Sequence, residues 1–503
     1  MNTFKRKALM SAVLASLGAA GTAEAVFEDA NGLGQVLVYP YYTVQQRANG
    51  DAFNTLISVV NTTARAKVVK VRFREGKTSA EVLDFNLYLS PNDVWTAAII
   101  PASGTQTVDT PARLITTDQS CTNPAIPATG VDFRNFLYLA GSVDGLPGST
   151  LDRTREGYLE MIEMGTLTGA SAAAATHSAG VPSCTGLRGP AVALTSIEAP
   201  LGGLSGQGTI VNVVAGSDVG YNAIALAEFR TLAFYTDIAN DSPNLSSADP
   251  MSVVVSTGVV AGTAATPAPA GLTVYRSDWA AQSGTTAGAR AVASVFMHSS
   301  VINEYVLDSG SLSQTDWVIT QPLKRFFVSS TTVAQPYTNV LTSTGACETI
   351  GFTFFNREEG GATAAGVDFS PASPGGPSSS LCWESTVLSI YNAASTATVS
   401  GVLGSFNLRN VAVTSGFQNG WAFLTFTGAG AVSPLGLTDS ATSNAVTMVP
   451  LAATTSTHTY IGLPVTGFMV RTFRNNNVPC GTATCLSSYA SAFPHVYRTT
   501  IVP

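Results

Sequence analysis

The sequence predicts a mainly β protein: two or more antiparallel, immunoglobulin-like β-sandwich domains with long loops of Gly, Ala, Ser and Thr. Three observations carry this reading. Short runs alternate apolar and polar residues with period two, as half-buried strands do. Turn-forming residues, 46 Gly and 25 Pro among 503, punctuate those runs. Charged residues reach only 11%, against about 25% in ordinary globular domains. Their place is taken by Val and Thr, which suit a pleated surface, and by Ala, Gly and Ser.

Taken in order, the chain opens with a segment that sets its compartment. Lys5, Arg6 and Lys7 form a positive start, residues 8–20 are apolar, and Ala23-Glu24-Ala25 supplies the small residues of a cleavage site. This is the pattern of a secretory signal, too short for a membrane span. The mature chain is expected to begin near Val26 and to fold outside the cytoplasm, secreted or at the cell surface. No later stretch offers the ~18 uninterrupted apolar residues of a membrane helix. A net charge of −7 leaves no large basic surface, so nucleic acid is not expected as a partner.

The strand pattern is clearest near the mature N-terminus. Residues 35–44 are rich in Val and Tyr but contain Pro40, which cannot donate to a ladder; an edge strand, or one broken at Pro40, is expected. Residues 56–63 and 67–76 follow. In the second, Val69, Val71 and Phe73 face one way and Lys70, Arg72 and Arg74 the other. Leu83, Phe85, Leu87 and Leu89 alternate with polar neighbours, and Ser90-Pro91-Asn92-Asp93 turns the chain into another apolar run. Such runs with turns between them describe a sandwich. Residues 26–261 are therefore assigned to an N-terminal sandwich region and 272–503 to a C-terminal one. Residues 262–271 (GTAATPAPAG) are the linker on composition. One helix is expected over 286–298, and strands at 316–320 and 325–328.

Six cysteines in an exported chain point to disulfides. Fifteen pairings are open; the economical one joins Cys121 to Cys184, Cys347 to Cys382 and Cys480 to Cys485, each closing a loop of small residues. Such a bridge contributes about 2–4 kcal/mol. Metal binding by Cys480 and Cys485 is the weaker alternative, because structural zinc sites use closer pairs with nearby histidines.

Motifs for chemistry are sparse. There is no nucleophile elbow, no His-Glu-x-x-His and no phosphate loop. His177, His298, His458 and His495 lie in four different segments; a Ser-His-Asp set could still assemble in space. Glu160 and Glu163 have opposite strand parity and make a poor acid/base pair. Glu358 and Glu359 read as a solvated turn, and Asp237, Asn240 and Asp241 as a weak calcium corner. Leu463-Pro464-Val465-Thr466-Gly467 matches a sortase pattern without the apolar span and basic tail that would complete it, and reads as a strand-ending turn. No cofactor and no metal are expected.

The stretch 315–328 (TDWVITQPLKRFFV) admits two readings. One is a recognition surface on Trp317, Lys324, Arg325 and Phe326. The other, favoured because buried aromatics dominate core energetics, is strand, turn and strand with Trp317 inside. Tyr39, Tyr41 and Tyr42 join Trp317, Lys324 and Arg325 as candidate interaction residues, and Trp421 is a further exposed-aromatic candidate.

The phrases GQVLVYPYYT, LISVVNTT, VKVRFREG, EVLDFNLYLSPNDVWTA, VINEYVLDSG and TDWVITQPLKRFF together resemble a family of exported proteobacterial proteins described only as hypothetical or cell-surface proteins. The resemblance implies a Gram-negative exported protein and carries over no site residues. The expected function is a secreted or cell-surface structural or adhesion-type protein without catalytic activity. It would partner other surface proteins or itself, with residues 35–44 a possible added strand for a neighbour. A secreted carbohydrate-binding module or hydrolase is the alternative. An outer-membrane barrel fits less well, since its strands repeat regularly with an outward apolar band. Thiol titration of unfolded, unreduced protein from the native host should find no free sulfur; six reactive thiols would remove the disulfide framework.

Overall fold

The computed structural model describes residues 25–47, 50–139, 146, 149–178, 180–188, 196–237, 241–256, 272–281, 286–363, 380–392, 397–413, 415–426, 435–448 and 451–503. Residues 1–24 and 262–271, expected as signal and linker, lie outside them. The protein is mainly β, with multiple antiparallel sheets stacked face to face.

In the N-terminal half an eight-stranded sheet packs on a six-stranded one. The first runs Phe27–Glu28, Ile224–Ala227, Val36–Thr43, Glu156–Leu167, Lys67–Glu75, Glu81–Leu89 and Cys121–Asn123, with Ile197–Glu198 attached to Glu156–Leu167. The second runs Ser217–Asn222, Leu204–Asn212, Asn54–Asn61, Val94–Pro101, Ala112–Ile115 and Val131–Asp132. Leu37, Tyr39, Val71, Phe85, Trp95 and Ile99 fill the space between them.

The strand at Pro40 departs from expectation in an informative way. Val36–Thr43 is an interior strand, flanked by Ile224–Ala227 and Glu156–Leu167, and all its residues are buried. It is neither an edge nor a strand free to join a neighbouring molecule. The break is real, however: Tyr39 faces Leu159 and Tyr42 faces Gly157, so Pro40 and Tyr41 bulge opposite Tyr158. Ile224–Ala227 pairs only as far as Val38. A proline is thus tolerated inside the sheet because its missing N–H falls where no ladder bond is made.

In the C-terminal half a central five-stranded sheet comprises Leu408–Ala412, Ser385–Tyr391, Gln314–Thr320, Thr466–Cys480 and Ala483–Pro494. An outer one comprises Gly361–Thr363, Gly351–Asn356, Asn419–Thr425, Ser300–Val306 and Val496–Arg498. Strand alternation sends the central sheet's side chains into two cores. Val318, Val387 and Phe468 join the N-terminal core. Trp317, Ile319, Leu388 and Met469 join a second, which also takes Val36, Val38, Ile162 and Leu226 from the N-terminal half. The helix Thr286–Phe296 packs into that second core. Gly288 brings it against the 245–248 turn, where a Cβ would lie 2.3 Å from the Ser246 carbonyl oxygen.

The expected division of the chain at 262–271 is therefore corrected. The strands on either side of that segment, Met251–Ser256 and Thr273–Asp278, pair with each other, Ser256 opposite Thr273. The segment joins neighbours in one sheet, and both cores draw on both halves. The three cystines are Cys121–Cys184, Cys347–Cys382 and Cys480–Cys485, spanning 63, 35 and 5 positions; none crosses 262–271. Among the described residues no helix is long and apolar enough to cross a membrane. Cutting at a protease site placed within 262–271 should leave two fragments that co-elute in native gel filtration. Two separately eluting folded fragments would refute the shared cores.

Candidate functional site

The sequence candidates turn inward. Tyr39, Tyr41, Tyr42 and Trp317 are fully buried, and Lys324 is buried too. The second strand expected at 325–328 is instead a 3-10 turn, Lys324–Phe326. Those five are covered in the folded chain, whereas Arg325 and Phe326 are partly exposed. Tyr39 and Tyr42 pack in the N-terminal core and Trp317 in the second, whereas Tyr41 and Lys324 belong to a polar layer between the two halves, which pattern analysis missed because strand alternation says which face a residue occupies, not what covers it.

That layer starts on Lys67–Glu75, every residue of which is buried. Lys70 pairs with Asp84 at 2.5 Å. Arg72 pairs with Glu81, and Arg74 with Glu160 at 3.5 Å and Asp241 at 3.3 Å. On the opposite face Lys67 meets Glu163 at 2.8 Å, so Glu160 and Glu163 do face apart. Arg325 reaches Asp241 at 3.6 Å. Asp241, read as part of a calcium corner, is thus held by three guanidiniums. Those cations keep its carboxyl below the usual range against the opposing effect of burial. Asn240 lies outside the described residues.

The same layer ties the halves together through hydrogen bonds. Glu156 accepts from Tyr41 Oη at 2.8 Å, Ser405 Oγ at 2.6 Å and the Phe406 and Asn407 N–H groups at 3.0 Å each. Thr320 Oγ1 donates to the Pro40 carbonyl at 2.6 Å, a carbonyl that the bulge leaves off the ladder. Tyr158 Oη donates to Ser79 Oγ at 2.8 Å, and Ser79 Oγ to Glu384 at 2.5 Å. Lys324 Nζ donates to the carbonyls of Ala346 (2.6 Å) and Cys382 (3.1 Å), both beside the 347–382 cystine. Burial pushes Glu384 up to about 7 and Lys324 down to about 8, because each loses hydration that its partners only partly replace. Most of these charges are buried and paired with one another, with Asp241 at the solvent edge, so the layer acts as a structural clamp between the halves.

The histidines divide similarly. Burial pushes His298 down to about 3 and His495 down to about 4, so both stay neutral. Glu358 and Glu359 are exposed, as a solvated turn requires. The 463–467 motif is buried and leads into the longest strand, so it begins a strand where a strand-ending turn was expected. Trp421 is 40% exposed. It stacks face to face on its cross-strand neighbour Phe355 at 4.5 Å and 16°, which covers one of the two ring faces a sugar would use.

An open site lies elsewhere, where an edge of each half meets. Ser217–Asn222 ends the six-stranded sheet and Ala483–Pro494 ends the central one; between them is a cleft of about 450 Å³. Its floor is a stack of Tyr221 on Phe468, 4.7 Å apart and 14° from parallel, one ring from each half. The Tyr221 hydroxyl donates to the Tyr41 carbonyl, which fixes the ring. Gly208 makes room for it: a Cβ there would lie 2.3 Å from the Tyr221 ring. Pro40 and Pro494 add apolar walls, and Phe493, 40% exposed, forms the rim. Gln207 and Asn222 face solvent as a cross-strand amide pair at 3.2 Å, with Thr209 beside them. Among the described residues no Asp, Glu, Lys, Arg or His lines the cleft. A second hollow, of about 360 Å³, is lined by Arg113, Asp132 and Arg134 and has no aromatic wall.

No family model, curated protein or solved structure matches this chain. The geometry alone therefore carries the functional reading. The cleft has the size, junction position and mostly apolar lining of a small-ligand site, with neutral amides to orient what enters and no group fit for acid–base work.

The clamp has a pH signature. Glu384 holds a proton at about 7 when folded and at 4.5 in its ordinary state. Between those values the native chain binds a proton that the unfolded chain releases, so stability falls as pH rises. Glu384→Gln, neutral throughout and still able to bond Ser79, should flatten the denaturation midpoint between pH 5 and 7. An unchanged slope would show that the proton resides elsewhere.

Proposed function

We propose that this chain is an exported, surface or extracellular adhesion-type recognition protein that holds an uncharged, hydroxyl-bearing ligand, a short glycan, in the cleft between its halves. The observation that carries the reading is the lining: the exposed Phe493 ring at the rim, a buried Tyr221–Phe468 stack that fixes the floor, and a paired set of amides, with no carboxylate, ammonium, guanidinium or imidazole among the described lining residues. A pyranose presents apolar C–H faces to rings and hydroxyls to amides, which both donate and accept. A charged ligand would find no opposite charge among the described lining residues and would lose hydration there uncompensated. The cleft holds and orients; turnover is not among its capacities.

Export is supported by the signal pattern of residues 1–25 and by three cystines, which persist in oxidising compartments. The fold is also engaged from the expected mature N-terminus onward. Val26 is fully buried, donates to the Met251 carbonyl at 2.9 Å and accepts from the Val253 N–H.

Purified protein screened on neutral and acidic glycans should bind neutral ones. Asn222→Ala and Phe493→Ala should each weaken that binding by about tenfold, the effect of ~1.4 kcal/mol, with the denaturation midpoint unchanged. Binding confined to acidic glycans, binding indifferent to both substitutions, or no binding on a broad panel would each sink the proposal.

A further inference from the structure

Apart from the cleft, one polar constellation has the order of parts that nucleophilic chemistry requires. Gly436–Thr438 and Thr459–Ile461 pair antiparallel, Thr438 opposite Thr459, so Asp439 and His458 face each other where the hairpin opens. The Asp439 N–H donates to the His458 carbonyl at 3.0 Å, and the His458 N–H returns to Asp439 Oδ1 at 2.6 Å. Asp439 Oδ2 lies 3.2 Å from His458 Nδ1 and accepts from Ser277 Oγ at 2.5 Å. Ser277 is in turn 2.7 Å from the Tyr460 hydroxyl. The carboxylate is buried and its position is fixed from three directions.

The other side of the imidazole meets a second set of side chains. Tyr275 meets the ring edge-on at 5.1 Å, which limits its rotation. Ser456, at the end of Leu451–Thr455, places Oγ 3.3 Å from His458 Nε2. That hydroxyl is half-buried, while His458 behind it is buried. A carboxylate that accepts a hydrogen bond from Nδ1–H leaves the ring lone pair on Nε2, and Nε2 faces the hydroxyl of a half-buried serine. A turn needs Asp439 to cap backbone N–H groups; it does not need this ordered chain through both ring nitrogens to a half-exposed serine.

We propose that Ser456, His458 and Asp439 form a nucleophile, a general base and its positioning carboxylate for acyl transfer from small esters. Ser456 Oγ bonds to the ester carbonyl carbon as its proton passes to His458 Nε2. The tetrahedral adduct collapses, the carbon–alkoxide bond breaks, and Nε2–H protonates the departing alcohol. Water then adds to the acyl-Ser456 carbonyl, giving its proton to Nε2. Collapse releases the acid, and the proton returns to Ser456. Ester and water become acid and alcohol, with no other reactant. The Ser456 N–H is bound to the Ser443 carbonyl at 3.1 Å and is not free to hold an oxyanion. Each such missing donor costs on the order of 10²–10³ in rate, so activated esters are the appropriate substrates and acylation is the step to observe. This proposal is independent of the glycan reading, and either can fail without the other.

A fluorophosphonate probe incubated with the native full chain should label one site, located by peptide mass mapping at Ser456. p-Nitrophenyl acetate should release about one equivalent of nitrophenol in a burst. Ser456→Ala, which loses one hydrogen bond and should keep its β circular-dichroism spectrum, should abolish both. Asp439→Asn should slow labelling by 10²-fold or more. A folded wild-type chain that stays unlabelled on prolonged incubation, or a label mapping to another residue, would overturn the assignment. The wild-type mapping decides the matter even if a variant fails to fold.

Discussion

Charge buried on a central strand is the constraint around which this molecule is arranged. Lys67–Glu75 carries Lys67, Lys70, Arg72, Arg74 and Glu75 with almost no contact with water. An uncompensated charge in such a place is prohibitively unfavourable, and breaking one buried pair typically costs about 3–5 kcal/mol. The compensation comes from neighbouring strands, through Asp84, Glu81, Glu160 and Glu163, and from distant segments, through Asp241 and Arg153. Arg325 and Glu384 then bring the C-terminal half to the same layer. The pairing specifies which surfaces must meet, whereas the apolar cores on either side supply the driving force.

Once the halves are joined this way, their sheet edges are brought side by side, and the cleft is the result. Its floor could not exist in either half alone, since Tyr221 and Phe468 come from different sheets. The bulge at Pro40 serves both features. Its carbonyl receives Thr320 across the junction, and its ring lines the cleft. A local irregularity expected as an edge or a break is therefore a joint. Of the residues with the strongest appearance of a recognition surface, Tyr41, Lys324 and Arg325 serve the junction, and Tyr39, Tyr42 and Trp317 fill the cores.

Much of the fold was legible before any coordinates. Period-two alternation around Val69, Val71 and Phe73 and around Leu83 to Leu89 located strands; the apolar run near 286–298 located the helix that ends at Phe296; and the parity of Glu160 and Glu163 was read correctly because side chains on a strand must alternate. The site was far less legible. Trp317 and Lys324 lie close together in sequence, as binding residues often do, but so do residues that flank a buried turn. Gln207, Asn222, Tyr221 and Phe493 are separated by up to 286 positions and carry no spacing that would join them. His458 and Ser456 are two apart, yet nothing local reveals that Asp439 stands opposite.

From the residues alone came the β character, the sandwich layering, the economical cystine pairing and the expectation of export. Each follows from interactions that are local or compositional: the strand period, the frequency of turn residues, the even cysteine count, and the signal pattern. Only tertiary structure decided that a Gly/Ala/Pro segment joins paired strands instead of domains, that Lys70, Arg72 and Arg74 face a covered layer instead of water, and that two sheet edges enclose a neutral cleft. Those outcomes depend on which surface lies against which. The free energy of burying a charge or opening a cleft belongs to the pair of surfaces in contact, and neither contains it alone.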